Sequence, residues 1–205
     1  MIRGLLADFG NVLARVQREV TCRILSQYSP FDPQTLCQRV YSREIEEASE
    51  TGRLDARGHF EAVAEAAELD QECTFYQFAN AWHAGLLLIQ ESTTALTNLA
   101  GAGFPVWVLS NISAIHKAWF LDQDELRPLH SKSLFSCDLG VMKPDSRAFS
   151  AAFTAMSMSP NEVLFIDDRL ENCRAAHAAG CATSVIEEPE RDVPEICRQL
   201  QGSIL

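Results

Sequence analysis

Four short stretches hold residues that could do chemistry together: Asp8, Ser110-Asn111, Lys143 and Asp167-Asp168. A carboxylate can attack an electrophilic centre such as phosphorus and form a covalent intermediate, which splits a hydrolysis into two easier steps. Three carboxylates brought together repel one another unless a hard cation lies between them, and Mg²⁺ prefers oxygen ligands. The cation would offset charge on phosphoryl oxygens and on the nucleophile. A serine hydroxyl and a lysine ammonium can hold the remaining oxygens. Transfer of a phosphoryl group needs mainly this positioning and charge stabilisation.

For these residues to meet, the chain must bring several strand ends to one place. Gly4 to Asp8 reads as a short buried strand ending in a carboxylate. Pro105 precedes Val106-Trp107-Val108-Leu109, an apolar strand that ends at Ser110-Asn111. Val163-Leu164-Phe165-Ile166 is the clearest strand and ends at Asp167-Asp168. Ser133 to Ser136 and Ala182 to Ile186 predict two more. Between them lie helical stretches: Ser92 to Ala100, Ala114 to Phe120, Pro144 to Met156, and Leu170 to Ala179 closed by Gly180, with a terminal helix opened by Pro194. Strands alternating with helices predict an α/β fold with a doubly wound parallel sheet. Such sheets bind ligands beyond the carboxyl ends of their strands.

The segment 15–90 departs from this rhythm, with helical periodicity and almost no strand signal. Asp32-Pro33 and Asp55 are helix starts, and Phe60, Val63, Ala64 and Ala67 form an apolar stripe. The expected organisation is a core of residues 1–14 and 91–205 with a small helical cap, 15–90, inserted after the first strand. No motif in that cap selects a substrate, and nothing in the sequence fixes an oligomeric state.

Composition narrows the partners. The chain has 205 residues, enough for one α/β core and a smaller subdomain, and a net charge of −11 with its 17 basic residues scattered. Nucleic acid and anionic membrane are therefore poor partners. An anionic substrate needs a local positive site or a metal. Seven cysteines, an odd number with no CxxC pair, fit reduced thiols in the cytoplasm, and Met1 leads almost directly into the Gly4–Ala7 run rather than a leader. No histidine pair has zinc-ligand spacing. There is no GxxxxGK[ST] or GxGxxG loop for a nucleotide.

Asp8-Phe9-Gly10-Asn11-Val12-Leu13, Val108-Leu109-Ser110-Asn111, Gly140-Val141-Met142-Lys143-Pro144-Asp145 and Phe165-Ile166-Asp167-Asp168 resemble, in order and spacing, the four motifs of the haloacid dehalogenase superfamily. Glu171-Asn172 follows the fourth. The motifs span residues 8 to 172, the whole core, and the inserted block is similar to that family's small helical cap. The Gly-Asn-Val and Asp-Leu-Gly-Val-x-Lys-Pro forms resemble bacterial sugar-phosphate phosphatases of the α-glucose-1-phosphatase type. The resemblance implies a magnesium-dependent hydrolase of a small phosphorylated metabolite. Asp8 would be the nucleophile and a metal ligand, and the Gly10 carbonyl a second ligand. Ser110, Asn111 and Lys143 would bind the phosphoryl group, with Asp167 and Asp168 at the metal.

One departure stands out. Most phosphatases of the family carry an aspartate as general acid/base where this chain has Gly10. The following Ala14-Arg15-Val16-Gln17 offers no carboxylate. His116, six residues after Ser110, is the candidate substitute. Two other readings follow: a metal-free dehalogenase, which the Asp167-Asp168 pair disfavours, and a feebly active phosphate-binding module.

Overall fold

In the computed structural model, which describes residues 1–202, a five-stranded parallel sheet forms around central strands that are buried along nearly their whole length. Its strands are β1 (Gly4–Ala7), β4 (Val106–Ser110), β5 (Ser133–Phe135), β6 (Val163–Asp167) and β7 (Ala182–Val185), in the order β5-β4-β1-β6-β7. The intervening strands β2 (Ala14–Val16) and β3 (Leu86–Leu88) form a separate antiparallel pair. Successive side chains on a strand face opposite ways, so β1 feeds two cores. Leu5 and Ala7 join Val106, Val108, Leu96, Leu99, Phe120 and Val193 on one face. Leu6 joins Leu109, Phe149, Phe153, Phe165 and Ala176 on the other.

Helices cover both faces. α6 (Gln90–Gly101), α7 (Ala114–Asp122) and α11 (Pro189–Gly202) serve the first core, and α9 (Ser146–Met156) and α10 (Leu170–Ala178) the second, with the short α8 (Ser136–Leu139) after β5. Five helices lie between β2 and β3: α1 (Arg18–Leu25), α2 (Pro33–Val40), α3 (Arg43–Glu50), α4 (Ala56–Ala66) and α5 (Phe75–Ala84). Asp32, Ser42 and Asp55 cap three of them, each carboxylate or hydroxyl accepting from a first-turn N–H. These helices bury their own apolar cluster, including Leu25, Leu36, Val63, Phe78 and Trp82, which α7 joins through Ile115.

The doubly wound sheet agrees with the sequence expectation. Four details do not. The segment 15–90 carries almost no strand signal, yet its ends pair as β2 and β3, with Arg15 opposite Leu87; three-residue strands are too short to show a period. The helix expected at Pro144 begins at Ser146, because the Asp145 carboxylate accepts the Arg147 N–H as N-cap; the Lys143–Pro144 peptide is cis. The terminal helix begins at Pro189, where proline suits the first turn, and Asp192 accepts the Glu187 and Glu188 N–H groups, so Pro194 lies inside it. Cys22 and Cys37 form a disulfide between α1 and α2, so two of the seven cysteines are not reduced.

Candidate active site

Beyond β1 the chain turns sharply. Asp8 donates its N–H to the Ile166 carbonyl (2.9 Å), which ties the end of β1 to β6. The Phe9 carbonyl then accepts from Leu13 (2.8 Å) and Ala14 (3.0 Å), and Asn11 takes a left-handed backbone, φ 52°, that asparagine tolerates. This turn aims Asn11 across to the end of β6, where its Nδ2 donates to Asp168 Oδ2 at 3.0 Å. Its Oδ1 accepts the Val16 N–H, which holds the turn to β2.

Lys143 lies at the centre. It is buried, and its ammonium meets Asp8 Oδ1 and Asp167 Oδ2, each at 2.7 Å. Burial opposes its charge, but the two carboxylates outweigh that and raise its pKa above the usual lysine value. Burial likewise pushes the Asp8 carboxyl up; Lys143 opposes the rise, and Asp167 and Asp168 add to it. The Lys143 backbone is clamped by Asn111, whose Nδ2 donates to its carbonyl and whose Oδ1 accepts its N–H, both at 2.8 Å.

Asp167 is fully buried, with every acceptor position facing a donor. Arg169 N–H donates to Oδ1 (2.8 Å), and Asn172 Nδ2 reaches both oxygens (3.0 Å). Asn172 Oδ1 is itself buried with no partner. Asp8, Asp167 and Asp168 each bring an oxygen within 4.8 Å of the others. Asp8 and Asp168, with Asp167 close behind them, present the all-oxygen carboxylate set that suits a hard divalent cation.

The carboxylate cluster borders a cavity of about 300 Å³ between the strand ends and α1–α5. Asp8, Gly10, Ser110, Asn111, Lys143 and Asp168 line it. Asp167 lies behind them, reaching the site through Lys143 rather than by facing the cavity. The Asn111 side chain is consumed by Lys143, so it positions the lysine. His116 also lines the cavity, beside Trp82, but burial drives its pKa down to about 3, with His59 and His83 adding to the effect. It is neutral at pH 7.

Three residues escaped sequence reasoning. Asn11 carried a signal, an asparagine in a turn, without a named partner. Arg18 and Glu50 reach the cavity from α1 and α3. Residues 43–50, Arg-Glu-Ile-Glu-Glu-Ala-Ser-Glu, form a highly charged helix, and such a helix is usually a solvated face. The only hint was that Ile45 and Ser49, one turn apart, turn a face inward with Glu46 and Glu50 beside it.

Fold and site together define a doubly wound α/β enzyme with an acidic, lysine-centred crevice at its strand ends. The chain belongs to the haloacid dehalogenase-like hydrolase family, whose model matches residues 4–180. It is 23% identical over 191 residues to the D-ribitol-5-phosphate phosphatase of Bacteroides thetaiotaomicron, covering 89% of this chain and 91% of that one. It is 27% identical over 203 residues to the drimenol cyclase drtB of Aspergillus calidoustus, covering 98% of this chain and 36% of the cyclase. The chain spans less than half the length of several curated relatives it matches. Among solved structures, it resembles the HAD family enzyme bt-2542 of Bacteroides thetaiotaomicron in complex with magnesium and inorganic phosphate. The TM-score is 0.81 at 23% identity, covering 91% of this chain and 95% of that chain.

Proposed function

We propose that the chain is a magnesium-dependent phosphomonoester hydrolase acting on a small phosphorylated metabolite, a sugar or polyol phosphate, through an aspartyl-phosphate on Asp8. The observation that carries this is the convergence of Asp8, Asp167 and Asp168 around a buried Lys143 beside a small crevice. Asp8 attacks phosphorus. Lys143 and Ser110 hold phosphoryl oxygens, and Asn111 fixes the lysine. The Asp8 and Asp168 carboxylates and the Gly10 carbonyl would hold Mg²⁺, with Asp167 backing them. When bound, the cation supplies charge neutralisation for the nucleophile and the phosphoryl oxygens. A metal-free dehalogenase has no use for this third carboxylate, which favours phosphorus over carbon as the centre attacked. The ribitol phosphatase likeness supports a polyol or sugar phosphate.

We place the cap at residues 15–90 over a core of 1–14 and 91–205; the β2–β3 pairing at the two ends of the insertion supports that division. Five free thiols support the cytoplasm, and the Cys22–Cys37 bond weighs against it.

The test is phosphate release from a panel of sugar, polyol and aryl phosphates, with Mg²⁺ or with EDTA, beside Asp8→Asn. The expected result is turnover that needs the metal and is lost in the variant. Equal turnover with EDTA, or in Asp8→Asn, removes the proposal.

A further inference from the structure

Cleaving an alkyl phosphate expels an alkoxide, which needs a proton, and the water that follows must lose one. Gly10 can supply neither. The crevice holds few groups that could. Asp8 is the nucleophile, bound to Lys143, and Asp168 accepts from Asn11 beside the proposed metal. Lys143 is shared between two carboxylates. Glu46 is ion-paired with Arg18. Burial pushes the Tyr41 hydroxyl up to about 12. Burial also pushes His59 down to about 4 and His116 to about 3, so at pH 7 their protonated forms are scarce.

Glu50 is what remains. It sits at the last position of α3, two residues before Gly52, which takes a left-handed φ of 72°. A Cβ at Gly52 would collide with the Cys137 carbonyl oxygen, so this turn seats α3 directly on α8. The Glu50 carboxyl makes no hydrogen bond or ion pair among the described residues, although it is mostly shielded from solvent. It lines both the crevice and the wider groove of about 1140 Å³ that opens from it. Lys143 lines both as well, so the lysine and Glu50 border the same junction.

We propose that Glu50 is the general acid/base of the reaction, standing in for the side chain that Gly10 lacks; this rests on the phosphatase proposal above. In the first step an Asp8 oxygen bonds to phosphorus, the bond from phosphorus to the leaving oxygen breaks, and that oxygen takes the Glu50 proton. In the second, a water oxygen bonds to phosphorus, the bond from phosphorus to the Asp8 oxygen breaks and returns the carboxylate, and Glu50 takes the proton that water loses. The acid is restored.

Its environment supports the role. Burial pushes the Glu50 carboxyl up to about 7; Glu46 and Asp8 add to the rise, and Arg18 and Arg169 oppose it. Of the elements packed on α3, α4 carries His59, which burial keeps neutral, beside Arg57, Glu61 and Glu65, and α8 carries Cys137 and Asp138, the latter paired with Lys117. A carboxyl with its pKa near the working pH can both donate and accept.

The test compares a polyol phosphate with 4-nitrophenyl phosphate, whose leaving group needs no proton, on the magnesium-loaded enzyme. Glu50→Gln should lower kcat/KM on the polyol phosphate by roughly 10² to 10⁴ and change the aryl value only a few-fold. On the polyol phosphate, wild-type kcat/KM should fall as pH rises through about 7, where the donor loses its proton. That limb should vanish in Glu50→Gln and persist in Glu50→Asp. The Gly10 backbone is not left-handed, and a Cβ there meets only Val16 Cγ2 at 3.5 Å. Adding Gly10→Asp to Glu50→Gln should therefore restore much of the lost rate. An unchanged polyol rate in Glu50→Gln, or equal loss on both substrates with the limb intact, overturns the acid/base role while the phosphatase stands. A wild type silent on every phosphate overturns both.

Discussion

At the scale of single residues, Lys143 decides whether the site can exist. Among the described residues its ammonium is the one cation paired with Asp8 and Asp167, two carboxylates that are 7% and 0% exposed. Truncating one partner of a buried ion pair leaves the other charged and unpaired, typically at a cost of about 3–5 kcal/mol. Lys143→Met should therefore destabilise the protein by about that much in urea denaturation without metal, besides ending turnover. Saturating Mg²⁺ should return part of the loss, since a cation among the same carboxylates replaces the missing charge. A loss below about 1 kcal/mol, typical of an exposed pair, would mean that these charges are solvated. A lone lysine is more often a surface residue; Lys143 stood out because Gly140–Asp145 resembles the third motif of the family and lies between two strands that end in polar residues. Glu50 did not, because one more glutamate on a helix of glutamates carries no mark of the wall it faces.

At the scale of elements, the strands and helices of the sheet were readable and the insertion only partly so. Apolar runs such as Val163–Ile166 are buried on both faces and announce themselves. β2 and β3 could not, since three residues pair only because the chain between them folds back. On α4 the stripe of Phe60, Val63 and Ala67 was legible and does face the cluster, but the histidine beside it was not. His59 lies edge-on to Phe78 and Trp82, with ring centroids 5.6 and 4.9 Å away, and its Nδ1 has no partner. Burial holds its pKa down at about 4. A ring kept neutral in the folded state but free to protonate near 6.5 when unfolded contributes stability that is fully present above pH 6.5. That contribution is lost as pH falls toward 4. His59→Phe keeps the aromatic contact and removes the titration. Relative to its value at pH 7.5, the stability of the variant should gain on wild type by about 2 kcal/mol at pH 5, from 1.36 kcal/mol per unit. Glu50, whose raised pKa has the opposite sign, is common to both proteins and cancels in the difference. Parallel stability curves for the two proteins between pH 7.5 and 5 would refute the neutral, buried histidine.

At the scale of the whole molecule, the floor of the crevice and the proposed lid over it depend on different forces. The floor is set by the sheet: three strand ends are brought together by a ladder of parallel pairs that also builds two apolar cores. The lid of α1–α5 has its own cluster and carries Arg18 and Glu50 into the crevice. Its α1 and α2 are joined by the Cys22–Cys37 bond, which closes a loop across a sequence separation of 15 residues. A loop of that size removes enough freedom from the unfolded chain to stabilise by about 3 kcal/mol in the chain-entropy model. Arg18 precedes Cys22 by one helical turn and pairs with Glu46, four residues before Glu50. Loosening α1 from α2 therefore bears on the lid wall and leaves the strand ends alone. Cys22→Ser/Cys37→Ser should lower stability by about 3 kcal/mol. It should raise KM for the polyol phosphate more than it lowers kcat for an aryl phosphate, because the aryl reaction depends on the floor. Mass mapping of the non-reduced protein should find the Cys22–Cys37 peptide pair, and its absence would return the lid to packing forces alone. Loss of aryl turnover in the double variant would instead show that the lid and the strand ends fold as one unit.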